Sequence, residues 1–125
     1  MKKTIHTDKA PKAVGPYSQA VEINGTLYIS GQIPINPATG DIVAGGIVEQ
    51  TEQVFRNIQA ILSEAGYALE DVVKTTVLMQ DLNDFAAMNA VYARYYTTRQ
   101  PARSTFQVAK LPLGVQVEIE TVAVK

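Results

Sequence analysis

The chain has 125 residues, of which 46% are hydrophobic and 18% charged, a balance that suits one domain with a real core. With no cysteine and a single histidine, His6, it excludes disulfides, thiolate metal sites, a cysteine nucleophile and an imidazole-built metal cluster. The formal net charge of −1 supplies no basic field to draw in nucleic acid.

Met1 to Asp8 lack the apolar run of a signal peptide. No stretch approaches the ~20 apolar residues that a membrane-spanning helix needs. The expectation is a soluble, cytoplasmic single domain over 1–125 with neither membrane nor nucleic acid as partner. A short edge strand is predicted at Lys3–Ile5, followed by a loop in which Pro11, Gly15 and Pro16 fix the backbone and present Tyr17 at its end. On spacing alone, Tyr17 reads as a half-buried loop anchor.

Gln19–Ile23 and Thr26–Ile33 flank Asn24-Gly25, a strong hairpin signal because a type I′ turn needs positive φ at both positions. In the second strand Leu27, Ile29 and Ile33 are expected on one face, with Tyr28, Ser30 and Gln32 on the other. Gly31 interrupts the apolar row, which points to a bulge or to close approach by a ligand or another backbone. Pro34 to Asp41 is surface punctuation, and Gly45-Gly46 is loop, since it lacks the lysine and the spacing of a phosphate-binding loop.

Val48–Ala65 carries Val54, Phe55, Ile58, Ile61, Leu62 and Ala65 at helical spacing. Gly66 stands where a left-handed cap belongs. Val72–Gln80 alternates as a strand. Asn83 or Asp84 is expected to cap a second helix with Phe85, Met88, Tyr92 and Tyr95 on one stripe. Asn89 lies off that stripe and, taken alone, would face solvent.

Pro101 closes the helical pattern, and the residues after it alternate. Arg103, Thr105 and Gln107 share one face; Ser104, Phe106 and Val108 share the other, whose apolar bulk marks it as the core side. Arg103 has two readings: a solvated or structurally paired arginine, or an anion clamp whose planar fork holds a carboxylate through two parallel bonds. In the last strand, Val115–Val124, Gln116, Glu118 and Glu120 share a face. A carboxylate in such alternation is usually on the wet side of a half-buried sheet. Yet the short Leu111-Pro112-Leu113-Gly114 link should keep the two strands close, which would bring Glu118 near the Arg103 strand. The β-β-β-α-β-α-β-β order gives an α+β two-layer domain, both helices on one face of a mixed sheet. The other face is apolar enough to call for burial against another chain.

Pro101-Ala102-Arg103-Ser104 with Val108-Ala109-Lys110-Leu111-Pro112 resembles the signature of the RidA/YjgF family of imine deaminases. Further matching blocks are Gly15 to Ala20, Ser30 to Pro34, Lys74 to Val77, Asp81 to Phe85 and Val117 to Glu120. The resemblance implies a chorismate-mutase-like fold assembled as a homotrimer, with ligand sites between subunits. It implies hydrolysis of 2-iminobutanoate and 2-iminopropanoate to 2-oxo acids and ammonia. Arg103 would clamp the substrate carboxylate and Glu118 would act as general base. Ser30, Gly31, Asn89 and the backbone at Thr105 would line the pocket, and Tyr17 would arrive from a neighbouring subunit. A protonated imine is already electrophilic, so no metal or organic cofactor is required. Thr105 stands where the family commonly has cysteine, and Tyr96 to Gln100 is shorter than in some relatives. The rival reading from another class is a non-catalytic trimer that binds small 2-oxo or amino acids.

Overall fold

A computed structural model describes residues 1–125. The chain runs β1 (Lys3–Ile5), β2 (Ala20–Ile23), β3 (Thr26–Gln32), α1 (Ile47–Ala65), β4 (Val72–Met79), α2 (Phe85–Tyr95), β5 (Ala102–Gln107) and β6 (Val117–Val124). This is the element order that periodicity predicts. Asn24 and Gly25 take φ of 51° and 77°, so the β2–β3 turn has the positive angles that fix Ile23 opposite Thr26.

Helix α1 buries Val54, Phe55, Ile58, Ile61 and Leu62 completely or nearly so. It ends at Gly66, whose φ of 81° lets its N–H reach back to the carbonyls of Leu62 and Ser63. Gly45 and Gly46 are its entry loop: the Glu49 carboxylate accepts from the Gly46 N–H at 2.8 Å, placing an acid at the positive end of the helix dipole. The cap before α2 differs from expectation. Asp84 occupies the N-cap position but makes no side-chain cap bond. Instead Asp81 accepts from the Asn83 N–H at 2.8 Å and caps the short turn that leads in. No helix is long and apolar enough to cross a membrane.

The strands form one six-stranded sheet in the order β1-β2-β3-β6-β4-β5. Every neighbouring pair is antiparallel except β4 and β5, which run parallel with α2 as the crossover between them. This corrects the expected closeness of the last two strands. Short as their connection is, β4 lies between β5 and β6, because the α2 crossover carries β5 to the sheet edge and β6 returns on the other side.

One face of the sheet lies under the helices. Leu27, Ile29, Val77, Met79, Val117, Ile119 and Ala123 are buried there with Phe55, Ile58, Met88 and Tyr92. Two face assignments change. The register of β3 against β6 shifts between Ile29 and Gln32, so a bulge at Ser30-Gly31 turns Gln32, not Ile33, into the interior. In β5, Arg103 pairs with Thr75 and Phe106 with Leu78. Register therefore sends Arg103 and Thr105 towards the helices and leaves Phe106 46% exposed on the open face. Apolarity read along one strand could not reveal this, because the parallel partner sets the phase. On the open face Val21, Tyr28 and Val122 form one row across the sheet; Phe106, Leu78 and Glu118 form another.

Candidate functional site

The seven residues singled out in the sequence fall into two clusters. Arg103, Thr105 and Asn89 form the first, on the helix side of the sheet edge. The Arg103 Nη1 donates to Asn89 Oδ1 at 2.7 Å. Its guanidinium carbon lies 4.6 Å from the ring centre of Tyr92 and 5.5 Å from that of Phe85, within the range of cation–π attraction. Asn89 is half-buried, not solvent-facing. It sits four residues after Phe85 and three before Tyr92, one helical face by simple spacing, which is the signal that could have placed it.

The chain's two ion pairs, His6–Asp8 and Arg94–Glu52, leave Arg103 without a carboxylate. A cation held by one amide and two rings, with the rest of its donor fork free, is chemically able to receive an anion. Thr105 points its side chain to the same side. Its hydroxyl is buried and unpartnered.

Tyr17, Ser30, Gly31 and Glu118 form the second cluster, around a cavity of about 450 Å³. The close approach at Gly31 comes not from a ligand or another backbone but from a side chain, Glu118: a Cβ at Gly31 would lie 2.9 Å from the Glu118 carboxyl carbon and closer still to one of its oxygens. A bare backbone is what gives the carboxylate its seat. Burial, and then the like charge of Glu120, push the Glu118 carboxyl above its ordinary range. Ser30 lines the cavity, but its hydroxyl is engaged, donating to the Ser18 carbonyl at 2.6 Å.

Gln19 went unnoticed in the sequence and organises this wall. Its amide oxygen accepts from the Thr7 N–H at 2.7 Å, and its amide nitrogen donates to the carbonyls of Thr7 at 3.0 Å and Pro11 at 2.8 Å. A buried amide thereby fixes the loop that leads to Tyr17. The one available clue was a glutamine at the start of an apolar strand.

The two clusters leave opposite faces of the sheet. Arg103 shares the buried face with its partner Thr75, whereas Glu118 shares the open face with its partner Leu78, three residues further along the same strand. Within one chain, Arg103 and Glu118 do not meet. Tyr17, which the resemblance brings from a neighbouring subunit, shares its cavity with Glu118 of its own chain.

The model of the family described as endoribonuclease L-PSP matches residues 7–125. A RutC family protein of Pyrococcus horikoshii is 54% identical over 100% of this chain and 99% of its own. The 2-iminobutanoate/2-iminopropanoate deaminase of Mus musculus is 50% identical over 100% of this chain and 91% of its own. The crystal structure of E. coli TdcF with bound serine superimposes with a TM-score of 0.93 at 44% identity, covering 98% of each chain.

Proposed function

For a chain that belongs to the RidA/YjgF family, the family whose model is described as endoribonuclease L-PSP, we propose hydrolysis of 2-iminobutanoate and 2-iminopropanoate to 2-oxo acids and ammonia. The observation that carries this reading is that the chain holds a carboxylate-free guanidinium on one face of the sheet and a desolvated carboxylate beside a cavity on the other. Its support from outside is the mouse relative that bears the name of this activity.

Arg103 holds the substrate carboxylate, which keeps its charge throughout the reaction. Glu118 takes a proton from water as the water oxygen bonds to the iminium carbon, and the C=N pair of electrons moves to nitrogen. The protonated Glu118 returns that proton to the amine. As C–N breaks and ammonia leaves, the hydroxyl passes its proton to the Glu118 carboxylate and closes to the 2-oxo group, and the departing ammonia takes that proton from Glu118 to leave as ammonium. General base help of this kind is typically worth ~10²–10⁴-fold, and the bidentate anchor supplies orientation.

Arg103 and Glu118 leave opposite faces of one sheet, so a working site joins the Arg103 half of one copy to the Glu118 half of another. A homotrimer with its ligand sites between subunits satisfies this. Burial of the open-face rows at Tyr28, Val122, Leu78 and Phe106 would contribute to assembly; fully burying an exposed phenylalanine is worth ~1.5–3 kcal/mol.

The assay is ammonia release from 2-iminobutanoate generated in situ by a dehydratase acting on threonine. The expected result is release well above the spontaneous rate. Release at the spontaneous rate overturns the enzymatic reading. A second reading, ligand binding without turnover, draws on the relative whose structure holds serine. It predicts 2-oxobutanoate or serine binding with no acceleration. RNA cleavage is disfavoured, because a net charge of −1 offers no track for a phosphate backbone.

A further inference from the structure

Behind Arg103 lies a set of buried groups that the proposed reaction does not use. Tyr92, 6% exposed, carries the guanidinium on its ring at 4.6 Å. The Tyr92 hydroxyl shares a 2.7 Å hydrogen bond with Thr75 Oγ1. Thr75 is 1% exposed and is the register partner of Arg103 itself, one strand away. The same ring is packed edge-on against Phe55 with centroids 5.7 Å apart, and tilted against Tyr96 at 4.9 Å. Its plane is therefore set by two neighbouring rings and by one hydrogen bond.

A guanidinium is planar, but its flexible stem does not fix how that plane is oriented. Bidentate recognition needs that plane fixed to within ~10–20°. Asn89 fixes one nitrogen, and one hydrogen bond leaves rotation about its axis. The Tyr92 ring at 4.6 Å and the Phe85 ring at 5.5 Å are the surfaces against which that rotation can be restrained.

We propose that Tyr92 is a positioning residue for Arg103: its ring, pinned through its hydroxyl to Thr75, sets the plane in which the guanidinium presents its free edge to the substrate carboxylate. The inference rests on the clamp role of Arg103 and adds the device that makes the clamp directional. Thr75 serves both ends, bonding the platform through its side chain while its strand sets the backbone position of Arg103. Burial raises the Tyr92 hydroxyl above its ordinary range, so the hydroxyl stays neutral and the pin holds across the working pH range.

The test compares native protein with Tyr92→Phe and Tyr92→Leu, using calorimetric titration with 2-oxobutanoate, steady-state kinetics, and the side-chain Nε–Hε resonance of Arg103 in ¹⁵N-arginine-labelled protein. Tyr92→Phe keeps the ring and loses the pin; 2-oxobutanoate affinity should fall about 2- to 5-fold, with KM rising alike and kcat nearly unchanged. Tyr92→Leu removes the platform; affinity should fall about 10- to 30-fold. The Arg103 resonance should then lose its ring-current shift and broaden. A general loss of packing would instead lower thermal stability without a selective change in KM. Native affinity together with a native Arg103 resonance in Tyr92→Leu overturns the inference. If the Arg103 resonance of native protein does not move when 2-oxobutanoate is added, the clamp role itself fails, a different outcome from the first. Should Tyr92→Leu not fold, Tyr92→Phe decides: affinity and resonance both unchanged overturn the pin.

Discussion

The two halves of the site are made from different materials. Around Arg103 the chain uses regular structure: β5 held parallel to β4, and one face of α2 supplying Phe85, Asn89 and Tyr92. Around Glu118 it uses irregular structure: a bulge at Ser30-Gly31, a loop pinned by Gln19, and a carboxylate pressed against a residue with no side chain. In the proposed reaction the first half holds a charge that does not change during hydrolysis, and rigid aromatic packing suits it. The second holds the group that gains and loses a proton in that proposed reaction, and its desolvated, like-charged surroundings would tune that step. Anchoring and chemistry are thus separable within one fold, and substitutions in the two halves should fail in different ways.

The largest expected effect is at the chemical end. Glu118→Gln keeps the shape and removes the base, so kcat should fall ~10²–10⁴-fold while 2-oxobutanoate still binds. Arg103→Lys should instead weaken 2-oxobutanoate binding, because the charge remains and the fork is lost. Calorimetry and single-turnover hydrolysis on both variants separate the two. Normal turnover by Glu118→Gln would reduce Glu118 to a sheet-face carboxylate.

Gly31→Ala sharpens the contrast. The methyl group displaces the carboxylate, the far end of a flexible side chain, so refitting should cost only about 0.5–1.5 kcal/mol of stability. A 1 Å misplacement of the base should nonetheless lower kcat by up to ~10²-fold, with 2-oxobutanoate affinity nearly intact. Thermal unfolding and steady-state kinetics read the two quantities; unchanged kcat would mean that the seat at Gly31 does not matter.

The smallest effect is a pH shift. Glu118 acts as a base only when ionised, so activity should be lost as pH falls through its raised pKa, and the acid limb of kcat/KM should lie above the ~4.3 of a free glutamate. Its stability contribution is present below the ordinary carboxylate value and is lost as pH rises through the raised one. Glu120→Gln removes the like charge and should move the acid limb to lower pH, by less in high salt. Because burial is the larger cause, the limb should remain above the ordinary value. A limb that moves up, or stays in place at low salt, contradicts the assignment.

Local signals in the sequence carry most of the fold. Asn24-Gly25, the apolar stripe of α1 with Gly66 after it, and the strand following Pro101 each depend on a few adjacent residues, and each stands in the structure as expected. What escapes is phase between distant segments. The bulge in β3 swaps Gln32 for Ile33, and the parallel partner of β5 turns Phe106 outward and Arg103 inward. The α2 crossover inserts β4 between β5 and β6. Each of the seven candidate residues was legible as a type with a chemistry, whereas Gln19, which fixes the loop beside Glu118, was not. Nor was the division of the seven between two faces, because pairing across a sheet is invisible along one strand. Asn89 is the exception, readable from its spacing to Phe85 and Tyr92.

The central claim is that Arg103 and Glu118 work from different chains, and subunit complementation tests it directly. Arg103→Gln and Glu118→Gln proteins, each confirmed by sedimentation to assemble at three times the 13.6 kDa chain mass, should be nearly inactive alone in the ammonia assay. Mixed in equal amounts through unfolding and reassembly, they should recover activity at about a quarter of the sites, those pairing an intact arginine from one chain with an intact glutamate from its neighbour. Mixed assemblies that stay as inactive as the separate variants would contradict the claim and return both residues to a single chain.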